Sequence, residues 1–229
     1  MAKQPSELPV VRLNLAHPFL EELQRRNIDC SATLEAFGIT PLAIQERQMF
    51  VSVPVMYALA ESLSESSGDP YFGVHVGERV DPWSYSPLTE AAATAKTLGD
   101  FLLRFAMNIN ADTTSITCVM ETDGKRANFH WRRVTDGGIC PAHNDGFNIA
   151  YLMAILKSTV ADDWDGKKVV VKVCEPKVIP PDYLGALIAG TDTRGASVSF
   201  PNQWLLLGPP SAGHAKGVTP VAPAPPASE

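Results

Sequence analysis

Cys140-Pro141-Ala142-His143 places a thiol three residues ahead of an imidazole. A thiol at the amide end of a helix, with an imidazole one turn on, is drawn toward its reactive thiolate form. The plainer reading is a loop cysteine beside a proline that starts a helix. Asp162, Asp163 and Asp165 surround Trp164 and hint at a cation. They lack the glycine and the spacing of a calcium loop, so they read as a polar helix end. No G-x-S-x-G elbow, H-E-x-x-H pair or phosphate-cradling glycine loop is present. The expectation is a protein that is not an enzyme and uses no cofactor or metal.

A different kind of chemistry is suggested where aromatic and polar residues mix: Phe129, His130, Trp131, His143, Asn144 and Phe147. A pocket built there has apolar walls and a few polar groups to orient a small molecule. The alternative is a packed core with solvated polar faces. Strand alternation turns His130 away from Phe129 and Trp131, so these residues cannot all line one cavity.

The elements that must position them change character along the chain. The first third is punctuated for short helices. Pro18 starts one that runs to about Arg26, Ser31 caps a second that ends at Gly38, and Thr40-Pro41 starts a third. A longer helix begins near Pro54, with Val55, Leu59 and Leu63 on its apolar face and Gly68 just past its end. Asp69-Pro70 opens another, in which Tyr71, Val74 and His75 share a face and His75 reads as a packed residue. "SPLTEAAATAKTLGDFLLRFAMNIN" holds two more, the second capped by Thr97 and Asp100.

Beyond residue 115 the period falls from 3.6 to 2. Asp123-Gly124 turns a hairpin that sets Ile116, Cys118 and Met120 against Ala127, Phe129 and Trp131. Residues 142–160 form a helix apolar on more than one side, packed between a sheet and either other helices or a second subunit. Residues 168–174 read as a strand, 181–189 as a short helix and 196–200 as a last strand. The fold class expected is α+β: an N-terminal helical region, then an antiparallel sheet crossed by helices.

From Gly208 there are no aromatics but six prolines (Pro209, Pro210, Pro220, Pro223, Pro225 and Pro226), the composition of a linker. The division expected is a domain over 1–207 and a flexible tail over 208–229. With 19 Lys+Arg against 25 Asp+Glu, the net charge of -6 has the wrong sign for gripping nucleic acid over a broad surface. Four scattered cysteines, no signal peptide and no apolar run near the ~20 residues of a membrane span point to a reduced, cytoplasmic setting without a membrane partner.

"GITPLAI", "PVMYALAESLSE", "GDPYFGVHVGE", "TAKTLGDFLLRF" and "VSFPNQWLLL", in that order, resemble the arabinose-binding-type N-terminal domain of AraC/XylS-family transcriptional regulators over about residues 20–207. The resemblance implies a sensor. Such a domain binds a small-molecule effector, associates as a homodimer, and controls a C-terminal DNA-binding domain with two helix-turn-helix motifs, which does not occur within these 229 residues. The proline-rich tail then reads as the hinge toward that domain.

"DPWSYSPLTEAAATA" departs from the family's more glycine- and leucine-rich segment and brings Trp83 and Tyr85 to the expected border of the effector site. The candidate ligand-binding residues are therefore Trp83, Tyr85, Phe129, Trp131, His143, Asn144 and Phe147. A sugar site wants several planar polar side chains around an aromatic platform, and no such set is evident. Two other functions stay open. One is a stand-alone interaction protein associating through the helix of residues 142–160, and the other is an enzyme using Cys140 and His143.

Overall fold

The computed structural model describes residues 8–46, 48–81, 85–134 and 140–208. The chain opens on a short strand, β1 (Val10–Arg12), followed by α1 (His17–Arg25), α2 (Ser31–Ala36) and α3 (Pro41–Gln45). It then returns as β2 (Phe50–Ser52), which pairs antiparallel with β1, and continues as α4 (Val53–Ser67), α5 (Phe72–Arg79), α6 (Ser86–Thr94) and α7 (Leu98–Asn108).

Local chemistry sets these boundaries. Thr40 Oγ1 accepts the Ala43 N–H, and Thr97 Oγ1 accepts the Asp100 N–H while Asp100 accepts from Lys96. Gly68 closes α4 in the left-handed region, at φ 64°. One cap differs from expectation: Ser31 is the first helical residue of α2, and Asp29 accepts both its N–H and its hydroxyl.

The second half is a hairpin, β3 (Ile116–Thr122) and β4 (Arg126–Arg133), then α8 (Ala142–Val160), β5 (Val170–Val173), β6 (Leu187–Gly190) and β7 (Gly195–Pro201). The sheet order is β3-β4-β7-β5-β6. Register matches the alternation, with Cys118 opposite Trp131 and Met120 opposite Phe129. The fold class is α+β, and the sheet is antiparallel apart from the β5–β6 pair, which is parallel. The helix expected over 181–189 does not form. Asp182, Leu184 and Gly185 all take positive φ, which breaks helical continuation, and the chain leaves a single 3-10 turn to enter β6.

Helix α8 is buried on nearly every side, between β5 and β7 of the sheet and the helices α4 and α5. Its second neighbour is thus the chain's own helical layer. Residues 142–160 are consequently not an exposed association surface, which removes the basis of the stand-alone interaction reading. The approach to α5 is possible only because of glycine. A Cβ on Gly73 would stand 2.0 Å from the His143 carbonyl oxygen, and one on Gly77 2.4 Å from that of Phe147. The glycines of "GDPYFGVHVGE" therefore set how closely α8 is held.

Candidate functional site

Where α8, the helical layer and the inner face of β4 meet, aromatic rings gather around Tyr151. The ring centroids of Phe147, Tyr85, Trp131 and Phe105 lie 5.6, 6.2, 6.2 and 6.3 Å from it. Phe147 and Tyr151 are one turn apart on α8, which puts both on the same face. Between them is a cavity of about 60 Å³, walled also by Phe19, Met56 and Ala60, with Tyr57, Ser115, Asn144 and Asn148 as polar members. The indole N–H of Trp131 is buried there without a hydrogen bond of ordinary geometry, and the Tyr151 hydroxyl interacts with it. Burial pushes the phenols of Tyr85 and Tyr151 well above their usual range, so both stay neutral donors.

Leu15 and Tyr85 border this cavity on one side and, on the other, an outer cleft of about 590 Å³ between α1, α3 and the end of α5. The cleft is polar. Glu22 in α1 is only 3% exposed yet takes three guanidiniums: Arg25 at 2.7 Å, Arg26 at 2.7 Å and Arg79 at 3.1 Å. Burial raises its pKa, but the hydrogen bonds from Arg25 and Arg26 outweigh this and hold it below the ordinary value.

Arg26 also donates to Asp69 at 2.8 Å, and the same Asp69 oxygen accepts from His75 Nδ1 at 2.6 Å. Burial again opposes and the hydrogen bonds from His75 and Arg26 again prevail, keeping Asp69 far below the usual carboxylate range. The network ties α1 to α5, and its members Glu22, Arg25 and Arg79 line the cleft.

Of the candidate residues, Tyr85, Trp131, Asn144 and Phe147 come together on the cavity wall. Phe129 stands behind it, fully buried, its ring 4.9 Å from Trp131 and 6.0 Å from Phe105. His143 lines neither space. Its main-chain N–H donates to Glu61 at 2.8 Å, and its Nδ1 faces the Gly73 N–H at 3.3 Å, so it joins α8 to α4 and α5. Burial lowers its pKa. Trp83 lies outside the described residues.

The thiol and imidazole pair is not formed either. Cys140 is bonded to Cys174, so the four cysteines are not all single thiols. Asp165, read as part of a polar helix end, accepts the Lys167 N–H at 3.2 Å. Among the described residues no three His, Cys, Asp or Glu side chains cluster as a metal site, and no helix is long and apolar enough to cross a membrane.

Sequence reasoning passed over Tyr57 and Tyr151. The one-turn spacing of Phe147 and Tyr151 was a usable signal, but nothing local marks Tyr57. That residue matters because Arg133 lies 5.9 Å from its ring and forms a buried ion pair with Asp145, the two side chains being 6% and 4% exposed.

A family model for the arabinose-binding domain of AraC transcription regulators, N-terminal, matches residues 28–181, more than half of the chain. No curated protein matches it. Among solved structures, the transcriptional regulator CdpR from Pseudomonas aeruginosa is similar in fold, with a TM-score of 0.51 at 13% identity over 87% of this chain. The match takes in 58% of that regulator's chain. The match over more than half of the chain shows the family: the chain belongs to the arabinose-binding N-terminal domains of AraC transcription regulators, a regulatory ligand-binding domain.

Proposed function

We infer that this domain is the effector sensor of a cytoplasmic AraC-type regulator, acting as a homodimer and controlling a C-terminal helix-turn-helix region. The effector is a small amphipathic molecule whose flat apolar part enters the aromatic cavity and whose polar part stays in the outer cleft. The observation that carries this is the buried Trp131 N–H, which makes no hydrogen bond of ordinary geometry, on the wall of a largely aromatic cavity beside a cleft of about 590 Å³. A buried donor of this kind costs about 1–3 kcal/mol and favours a ligand that brings an acceptor. The cavity alone has room for about two waters. Binding therefore has to displace Leu15 or Tyr85, and ligand binding acts by shifting the population toward that open form.

The test is a thermal-shift screen of flat aromatic and short-chain amphiphiles, with arabinose as comparator, on the 229-residue chain and on Ala60→Val. The substitution puts two methyl groups into the cavity from a helix that already carries valine. Hits that raise the melting temperature of the parent but not of Ala60→Val support the cavity as the site. A hit that stabilises both equally places binding elsewhere.

A further inference from the structure

The disulfide between Cys140 and Cys174 spans 34 positions, with Cα atoms 5.9 Å apart, and effector binding as described makes no use of it. Cys140 stands two residues ahead of α8 and Cys174 directly after β5, and both are partly exposed. A small thiol or disulfide in solution can reach them.

What the bond touches gives it a role. Asp145, in the first turn of α8, accepts the main-chain N–H of Cys174, and Cys174 Sγ lies 3.5 Å from its Oδ2. Its Oδ1 is paired with Arg133. In a reduced chain kept in this geometry, the Cys174 S–H would be placed to donate to Oδ2. In the disulfide that sulfur has no proton, so a carboxylate oxygen in a buried ion pair loses a donor. Arg133 in turn donates to the Thr193 carbonyl at 2.7 Å and lies over Tyr57, which with Asn144 belongs to the cavity wall. One ion pair separates the sulfurs from the cavity.

The two sulfurs also differ in environment. Cys140 stands just ahead of the amide end of a 19-residue helix, whereas Cys174 faces a carboxylate.

The geometry points to a reversible thiol–disulfide switch at Cys140 and Cys174, oxidised by a low-molecular-weight disulfide of the glutathione type, whose closed form pins the first turn of α8 to β5 and fixes the cavity wall. The Cys140 thiolate attacks the small disulfide, forming a mixed disulfide and releasing one small thiolate. Cys174 passes its proton to that thiolate and attacks the Cys140 sulfur, releasing the second. Two protein thiols are oxidised, one small disulfide is reduced to two thiols, and the reaction runs backward in excess thiol. Its effect on effector affinity rests on the function proposed above, but the switch itself does not.

The experiment equilibrates the chain in mixtures of reduced and oxidised glutathione, counts free thiols by alkylation and intact mass, and follows amide hydrogen exchange in the first two turns of α8. The expected result is reversible loss of two thiols mapping to Cys140 and Cys174, with exchange there about tenfold or more slower in the oxidised form. Cys140→Ser should exchange at the fast rate whatever the mixture. Cys174→Ser, melting as the reduced parent does, separates loss of the bond from loss of the fold. A pair that stays reduced in every mixture, or exchange that is the same in both forms, overturns the switch. A thermal-shift ligand that binds both forms equally overturns the coupling and leaves the effector function intact. Altered exchange in a chain that binds no amphiphile supports the switch and removes the effector function.

Discussion

Arg133 and Asp145 illustrate how a single residue can fix a site it does not line. Both side chains are buried, and the guanidinium is shared among Asp145, the Thr193 carbonyl and the Tyr57 ring. Arg133→Met leaves Asp145 as an unpaired buried carboxylate, and a loss of about 3–5 kcal/mol is expected in urea unfolding. Replacing both partners, as Arg133→Met with Asp145→Leu, should recover most of it, because the cost lies in the stranded charge.

Asp69 and Glu22 give a pH prediction with a definite sign. Both have folded-state pKa values below their ordinary ones. The stability they confer is therefore complete above about pH 5 and is lost progressively as the pH falls below that toward their lowered folded-state values. Asp69→Asn should start about 2–3 kcal/mol lower at neutral pH and show a shallower decline in acid. Midpoints of denaturant unfolding between neutral pH and acid would check both. At this scale sequence reading saw Asp69 as part of a helix-start signal and His75 as packed, which holds. It could not see that the two share a hydrogen bond with Arg26 nearby, because that partner arrives from α1, 43 positions away.

The elements were legible where their signals are local. Thr40, Gly68 and Thr97 each act within three or four residues, and the helices they bound lie where expected. Strands β1, β2 and β6 were missed because short strands of three or four residues exist only through distant partners, Val10 with Ser52 and Val170 with Leu187. The seat of α8 lies between these cases, since its amphipathic excess announced two neighbours without identifying them.

Gly77→Ala tests that seat. Alanine favours a helix over glycine by about 1 kcal/mol, but here its methyl group meets the Phe147 carbonyl and the Ala150 methyl at under 3 Å. Overpacking of this kind costs about 1–3 kcal/mol and accompanies a shift of α8, so net destabilisation is expected, together with weaker binding of any cavity ligand. The disulfide belongs to the same scale. A closed loop of 34 residues stabilises by about 3–4 kcal/mol through the entropy of the unfolded chain, so reduction alone should lower the melting temperature by roughly 10 °C.

For the whole molecule, the decisive feature is that a cavity of about 60 Å³ and a cleft of about 590 Å³ meet at Leu15 and Tyr85 without merging. If the proposed function holds, such a sensor is closed until bound, and its apparent affinity falls in proportion as the open fraction is small. Leu15→Ala shortens the partition while leaving the Tyr85 ring cluster in place. The half-buried leucine contributes to packing, so about 1–2 kcal/mol of stability should be lost. The same change raises the open fraction, so an amphipathic ligand should associate faster and bind several-fold more tightly. The two effects have opposite signs. Stopped-flow binding together with a thermal melt would detect both, and a variant that lost stability while binding more weakly would show that Leu15 is part of the contact surface instead of the barrier.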